Sequence, residues 1–259
     1  IMKLFKTLMV VAGLLTLSCT QSKDAEIDDN SLQFKKLNVS LDVNKISHSF
    51  VYLESTMDLD QQVCDGEENC TNISESIHSA LGSGMTIKQK GKTYILTAGH
   101  VCAPQRYDPY LQMVSYIGTL SNSINGTGYF GNQSELEIVA IDQQRDLCIL
   151  KAKSRWVSPG VKLAKRLPES GAEVYMVSAP FGIFEPGLTL VYQGYLAGRD
   201  SDDDIMVSMP TRPGTSGSAI LDKRGRVIGV IHSAFNMMEN VGIGTPIEAV
   251  HALFNTIET

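Results

Sequence analysis

Short apolar stretches separated by turn-forming residues fill most of the chain beyond about residue 45. Val, Ile, Leu and Tyr are frequent in these stretches, and Gly, Asn, Asp, Ser and Pro separate them at the spacing of strands and turns. The stretches occupy residues 93–97, 137–141, 147–150, 173–177, 188–192, 205–208 and 227–231. This pattern predicts β-structure formed by many short strands.

A helical repeat of apolar residues occurs only near the end of the chain. Residues 247–254 carry it, and Pro246 precedes them at a position where proline favours the start of a helix. We therefore expect a C-terminal helix within residues 246–259. Residues 74–81 are predicted to form a helical turn. The predicted fold class is all-β with one C-terminal helix.

Residues 1–19 have the character of a secretory signal. Lys3 and Lys6 precede an apolar run over residues 7–17, which is too short to span a bilayer comfortably. The segment ending in Ser18-Cys19 resembles a bacterial lipoprotein signal, which implies cleavage before Cys19 and lipidation of that cysteine. The alternative is an ordinary signal peptide and a secreted protein. The polar, acidic residues 20–45 are predicted to form a flexible tether.

The composition of the 259-residue chain narrows the function classes. Hydrophobic residues make up 43% and charged residues 19%, which excludes a mainly disordered chain. The net charge of −6 argues against a nucleic-acid-binding protein. The five cysteines are an odd number, and lipidation of Cys19 would leave four that can pair.

Three short segments carry candidate chemistry, in the order His, Asp, Ser. His100 follows an apolar stretch and a small-residue turn, Asp146 precedes another apolar stretch, and Ser216 is flanked by Gly214 and Gly217. A serine hydroxyl becomes a good nucleophile only when a base takes its proton, and the base needs an orienting group. Each segment alone is a weak signal, but together they predict a nucleophilic triad.

An esterase or lipase of the α/β-hydrolase type is the alternative that shares this chemistry. That class needs Gly-x-Ser-x-Gly, with an acid and a histidine after the serine. Here Ser218 replaces the second glycine, and no strand-elbow-helix pattern surrounds Ser216. The chain order therefore disfavours it.

Four motifs give the chain a resemblance to the trypsin-like serine endopeptidases, especially those of bacteria and phages. They are TAGH at 97–100, DLCILK at 146–151, GTSGS at 214–218 and GIGTPI at 242–247. The resemblance covers roughly residues 50–258. It implies two antiparallel six-stranded β-barrels, over residues 46–165 and 166–245, followed by the C-terminal helix and with the active site between the barrels.

The resemblance also implies a role for each candidate residue. Ser216 would be the nucleophile, His100 the general base and Asp146 the group that orients His100. The backbone N–H groups of Gly214 and Ser216 would form the oxyanion hole. It further implies a protein or peptide substrate and no cofactor or metal. We expect a monomer, held in the cell envelope only by the lipid on Cys19. The alternative function is a catalytically weak binding module on the same fold.

The expected substrate pocket comprises Pro210, Thr211, His232, Ser233 and Ala234. Pro210 stands where Lys- and Arg-specific relatives carry aspartate, which argues against cleavage after basic residues. We expect preference for a small or apolar residue. Thr211 and His232 leave glutamyl preference open, whereas one extra residue in the late strand would move His232 beside Asp146.

The remaining differences concern activation and the cysteines. Thr215 replaces the aspartate that pairs with a newly cut N-terminus in animal digestive enzymes, so we expect no activation of that kind.

Four cysteines allow three connectivities. Cys64 and Cys70 flank a short turn, and Cys102 and Cys148 each lie two residues beyond a proposed triad member. We therefore expect the pairs Cys64–Cys70 and Cys102–Cys148.

Overall fold

The computed structural model describes residues 41–65, 69–235, 238 and 240–257. All of them belong to one compact unit. The predicted signal peptide, Cys19 and the predicted tether up to residue 40 lie outside the described residues. Within the described residues, no helix is both long and apolar enough to cross a membrane.

Six antiparallel strands close the first barrel in the order β1-β2-β3-β6-β5-β4. The pairing of Ala98 with Leu147 joins the end of β3 to the start of β6. Because His100 follows β3 and Asp146 precedes β6, this register brings the two residues to the same end of the barrel. The strands are β1 (Phe50–Asp65), β2 (Asn69–Gln89), β3 (Lys92–Ala98), β4 (Thr119–Gly128), β5 (Gln133–Asp142) and β6 (Leu147–Ala152).

Six further strands form the second barrel, which closes through the pairing of β11 with β12. The two-residue strand β7 (Lys162–Leu163) pairs in parallel with β12, although it lies in the segment expected to belong to the first barrel. The predicted architecture of two six-stranded antiparallel barrels is confirmed. The strands are β8 (Glu173–Ser178), β9 (Leu190–Arg199), β10 (Ile205–Val207), β11 (Ala219–Asp222), β12 (Arg226–Ala234) and β13 (Gly242–Pro246).

The helices are short, apart from the predicted C-terminal helix α4 (Ile247–Thr256), which is confirmed. Helix α1 begins at Val43, inside the predicted tether, because the Asp42 side chain caps it and Ile46 is buried. The others are α1 (Val43–Ser47), α2 (Gly99–Cys102), α3 (Pro109–Val114) and 3₁₀ turns at Pro104–Arg106 and Pro180–Gly182.

The predicted helical turn over residues 74–81 is wrong, because these residues belong to strand β2. They pair with β1 from Asp60, opposite Ser74, to Glu54, opposite Leu81. Most side chains in this part of β2 are exposed. The segment therefore lacks the alternation of apolar and polar residues that usually reveals a strand.

The core explains why some strands are apolar on both faces. In β6, Cys148 and Leu150 pack inside the first barrel, whereas Leu147 and Ile149 join the larger cluster that includes the second barrel and α4. Successive side chains of a strand point to opposite faces, so burial of both faces gives a continuous apolar run. Strand β6 therefore packs with one face inside the first barrel and with the other face in the cluster shared with the second barrel.

Candidate active site

His100 lies in the first turn of helix α2, directly after strand β3 ends at Ala98. The preceding Gly99 allows the sharp change from strand to helix, since a Cβ there would lie 2.0 Å from the Tyr107 hydroxyl oxygen. Any larger residue would have to displace Tyr107. The small-residue run before His100 is therefore a packing requirement that sets the position of the imidazole.

Asp146 approaches His100 from the turn between β5 and β6. The turn is closed by Asp142, whose Oδ1 accepts hydrogen bonds from the N–H groups of Gln144 and Arg145, both at 3.0 Å. Asp146 itself has a φ of 49°, a left-handed conformation that aspartate tolerates better than most residues. Its Oδ1 accepts from the His100 backbone N–H at 2.8 Å, and its Oδ2 lies 2.7 Å from His100 Nδ1.

The surroundings of Asp146 keep its carboxylate ionised. Burial alone would raise the pKa of Asp146, but the hydrogen bonds and charge of His100 outweigh it, and His232 adds to the effect. The pKa is therefore lower than usual. An ionised carboxylate only accepts hydrogen bonds, so His100 Nδ1 carries the proton and Nε2 is free to act as a base.

Ser216 lies in a tight loop held by backbone contacts. The Thr215 hydroxyl donates to the Arg212 carbonyl at 2.7 Å, and Gly217 N–H donates to the Ile231 carbonyl at 2.7 Å. The Ser216 carbonyl accepts from the Ser83 N–H at 2.8 Å. Thr215 is buried, and its hydroxyl also accepts a hydrogen bond from the Arg212 N–H at 3.2 Å.

The Ser216 loop packs directly against the strand that leads to His100. A Cβ on Gly217, which has a φ of 85°, would lie 2.0 Å from Thr97 Oγ1 and 2.2 Å from the Ser83 carbonyl oxygen. Thr97 is three residues before His100 on the same chain segment. The glycine after Ser216 therefore permits close contact between the Ser216 loop and the end of the strand that precedes His100.

Gly214 has a left-handed backbone conformation that only glycine adopts readily. Its φ is 91°, and a Cβ would lie 2.4 Å from the Ala179 carbonyl oxygen. The preceding carbonyl, of Pro213, accepts from the Phe181 N–H at 2.7 Å. In a trans peptide the C=O and N–H point in opposite directions. The N–H of Gly214 therefore points away from Phe181.

The predicted pocket residues do not all lie together. Thr211 is buried against Gly242, where a Cβ would lie 2.7 Å from Thr211 Oγ1, and Gly242 pairs with Ala234. Ser233 and Ala234 are exposed on β12, and Pro210 is half-buried. Thr211 and Ala234 thus share one region of the second barrel.

His232 lies beside Asp146, at a bulge in β12 where the register shifts between Ile231 and Ser233. Its Nε2 is 3.2 Å from Asp204 Oδ2. Burial raises the pKa of Asp204, even though His232 opposes this effect. The Asp204 side chain is accordingly only 21% exposed. A cavity of about 350 Å³ is lined by Gln144, Arg145, Asp146, Asp202, Asp204 and His232.

Both expected disulfides are present. Cys102–Cys148 joins α2 to β6 with a Cα–Cα distance of 6.5 Å, and it thereby connects the elements that carry His100 and follow Asp146. Cys64–Cys70 joins directly opposed residues of β1 and β2. Among the described residues, no group of three or more His, Cys, Asp or Glu side chains could hold a metal ion.

The motifs did not reveal several residues that surround the site. Tyr107 packs edge-on to His100, and burial together with the charge of Asp146 raises its pKa, which keeps the phenol neutral. Phe181 and Asp204 make the contacts described above, but nothing local in the sequence indicates them. Ser83 lies in a Gly-Ser-Gly run before an apolar stretch, and this run is the signal that could have found it.

The chain is similar to known serine proteases. It is 26% identical to an HtrA-like serine protease of Staphylococcus epidermidis over 81% of this chain and 35% of the relative. It is 25% identical to an HtrA-like serine protease of Staphylococcus aureus over 69% of this chain and 24% of the relative. The chain therefore spans about a third or less of these curated relatives.

Two solved structures share the fold. A serine endoprotease from Yersinia pestis matches with a TM-score of 0.57 and 21% identity, over 83% of this chain and 64% of that one. The HtrA-type protease AlgW, solved with a tripeptide, matches with a TM-score of 0.58 and 19% identity, over 83% and 62%.

The model of the trypsin-like peptidase domain matches residues 82–230, more than half of the chain, and this range contains His100, Asp146 and Ser216. The match agrees with the two-barrel topology of the described residues. The chain belongs to the trypsin-like peptidase domain family.

Proposed function

We propose that this protein is an exported serine endopeptidase that hydrolyses peptide bonds through an acyl-enzyme intermediate. The observation that carries the proposal is the double contact between Asp146 and His100, at 2.8 Å to the backbone N–H and 2.7 Å to Nδ1. This contact fixes both the position and the tautomer of the imidazole. A histidine held in this way is suited to act as a general base.

In the proposed mechanism, His100 takes the proton of the Ser216 hydroxyl as its oxygen attacks the peptide carbonyl. The imidazolium formed is stabilised by the ionised Asp146, and it then gives the proton to the leaving amine. Water repeats the sequence on the acyl-enzyme and releases the acid product. The side chains of His100 and Asp146 keep 31% and 20% of their surface exposed, which is compatible with substrate access from one side.

The backbone N–H groups of Gly214 and Ser216 are proposed to stabilise the negative oxygen of the tetrahedral intermediate. Support comes from Gly214, whose N–H points away from Phe181 because the neighbouring carbonyl is held there. Donors fixed before the reaction need no rearrangement as charge develops, and each is worth about 10² to 10³ in rate.

For the residue before the cut, we propose a small or apolar side chain. Thr211 borders the expected pocket, but the imidazole of His232 is engaged by Asp204 at 3.2 Å. Thr211 and His232, which together would bind a glutamyl carboxylate, therefore do not both face the expected pocket. Digestion of a peptide library tests this, and predominant cleavage after Glu would contradict it.

Export and anchoring are proposed from the N-terminal sequence. We propose cleavage before Cys19 and a lipid on that cysteine, with the folded unit acting as a monomer at the cell envelope. Membrane fractionation of the wild type and of Cys19→Ser tests the anchor. Equal membrane association of both proteins would contradict lipidation and favour another mode of retention.

The activity is tested by labelling the full-length protein with a fluorophosphonate probe, which reacts with activated serines. We expect labelling of the wild type, none of Ser216→Ala, and retained labelling of Ser218→Ala, a buried serine in the same segment. Casein should be digested by the wild type and by Ser218→Ala, and it should not be digested by Ser216→Ala. A folded wild type that is neither labelled nor cleaves casein would overturn the proposal, and peptide binding by that protein would favour the catalytically weak binding module.

A further inference from the structure

We propose that Ser83 is a positioning residue that holds the oxyanion loop in its active conformation, an inference that rests on the proposed function. Ser83 lies on β2 of the first barrel and is completely buried. Its hydroxyl donates to the Gly214 carbonyl at 2.8 Å and accepts from the Ala179 N–H at 3.1 Å. Both partners belong to the second barrel.

The backbone of Ser83 makes two more bonds at the same point. Its N–H donates to the Ser216 carbonyl at 2.8 Å, and its carbonyl accepts from Thr97 Oγ1 at 2.8 Å. Thr97 is on the strand that leads to His100. One buried residue therefore connects the His100 segment, both proposed oxyanion donors and the start of the 3₁₀ turn Pro180–Gly182.

The hydroxyl of Ser83 supports both peptide planes around Gly214, one directly and one through neighbouring residues. It donates directly to the Gly214 carbonyl, which belongs to the plane after Gly214. The plane before Gly214 is held by the Phe181 N–H, which donates to Pro213. Phe181 has a φ of 54°, an unfavourable conformation for this residue, so its position depends on its neighbours. The bond from Ser83 to Ala179 fixes the chain immediately before that turn.

Packing alone does not explain a serine at this position. A buried hydroxyl is unfavourable unless it is hydrogen-bonded, and alanine would leave almost the same volume filled. The Ser83 hydroxyl uses both its donor and its acceptor capacity on the oxyanion loop and its support. The geometry therefore assigns it to alignment of the Gly214 N–H, which matters most when charge develops in the transition state.

The test compares Ser83→Ala with Ser83→Thr, which keeps a hydroxyl, and with Thr86→Val. Thr86 is a matched control because it is equally buried on β2 and its hydroxyl accepts only from Trp156. Active sites are counted by fluorophosphonate labelling at completion, so that unfolded protein does not contribute. We expect kcat per labelled site of Ser83→Ala to fall about 10- to 100-fold with little change in KM.

The second readout is the affinity for a peptide boronate, which mimics the tetrahedral intermediate, compared with the affinity for a product peptide. We expect Ser83→Ala to lose boronate affinity by the same factor as kcat and to keep product affinity. Ser83→Thr should recover most of both losses, and Thr86→Val should show neither. A merely structural role would lower the melting temperature without changing these ratios.

An unchanged kcat per labelled site in Ser83→Ala would overturn the inference while leaving the proposed function intact. Absence of labelling in the wild type would instead remove the proposed function. If Ser83→Ala does not accumulate as folded protein, Ser83→Cys replaces it, since a thiol fills the space but is a weak hydrogen-bond donor. Full kcat and boronate affinity in Ser83→Cys would likewise refute the role of the hydroxyl.

Discussion

Removal of the Cys102–Cys148 disulfide should affect both the stability and the activity of this protein. The perturbation is the double replacement Cys102→Ala/Cys148→Ala, in which alanine avoids placing new polar atoms at two fully buried positions. The second disulfide, Cys64–Cys70, provides a control in the same chain. Its first cysteine is exposed at the far end of the β1–β2 hairpin.

The sequence separations set the expected magnitudes. Cys102 and Cys148 are 46 residues apart, whereas Cys64 and Cys70 are 6 apart. The loss of conformational entropy in the unfolded chain then corresponds to about 4 kcal/mol for the first pair and about 2 kcal/mol for the second. A loss of about 4 kcal/mol is a large part of the 5–15 kcal/mol that is typical for a folded domain.

Activity should separate the two variants more clearly than stability does. Cys102 lies in the helix that carries His100, and Cys148 lies two residues after Asp146. A displacement of about 1 Å between these groups can lower the rate about 100-fold. We therefore expect a clear loss of kcat/KM in the first double variant and none in Cys64→Ala/Cys70→Ala.

The assays are urea unfolding, read as the free energy of unfolding, and peptide cleavage per labelled active site. Unfolding of the reduced wild type should match that of the protein lacking both disulfides. Equal losses of stability in the two double variants would refute the dependence on loop length. Unchanged cleavage in Cys102→Ala/Cys148→Ala would show that strands β3 and β6 alone fix His100 against Asp146.

Three further predictions concern the residues around the site. Asp146→Asn should lower kcat by about 10⁴, because an amide no longer enforces the Nδ1–H tautomer of His100, as steady-state kinetics would show. The lowered pKa of Asp146 means that its contribution to stability is complete above the usual value of 3.8 and is lost as pH falls through the lower folded value. Wild type and Asp146→Asn should therefore converge in unfolding free energy at acidic pH, and a constant difference would contradict this. Gly217→Ala should abolish labelling by the fluorophosphonate probe, because its Cβ would lie 2.0 Å from Thr97 Oγ1. Gly171→Ala is the control, because Gly171 has the same φ of 85° but open space around it. This variant should lose only about 1–2 kcal/mol of unfolding free energy in thermal unfolding.

The β1–β2 hairpin shows where sequence reasoning failed. Most side chains of residues 74–81 are exposed, so this part of β2 lacks the alternation that indicates a strand. Strand identity there comes from pairing with β1, including Ser76 opposite Asp58. Backbone hydrogen bonds to a distant segment determine the conformation, and no property of the local residues reveals them.

His232 is a second residue whose position the local sequence did not determine. The sequence left it either in the substrate pocket or beside Asp146. The choice depends on a register shift in β12 that turns its side chain toward Asp204 and Asp146. Ser83 and Phe181 likewise have roles only through contacts with residues far away in the chain.

The sequence by itself determined the all-β class, the C-terminal helix and the order of His100, Asp146 and Ser216, whereas the two-barrel architecture was implied only by the resemblance that the motifs carry. The first features depend on local chemistry, because apolar stretches form strands, Pro246 opens the helix, and glycines permit tight loops around a nucleophile. The tertiary structure decided which side chains meet, because the pairing of β3 with β6 and the packing of the two barrels bring together residues that are distant in the chain.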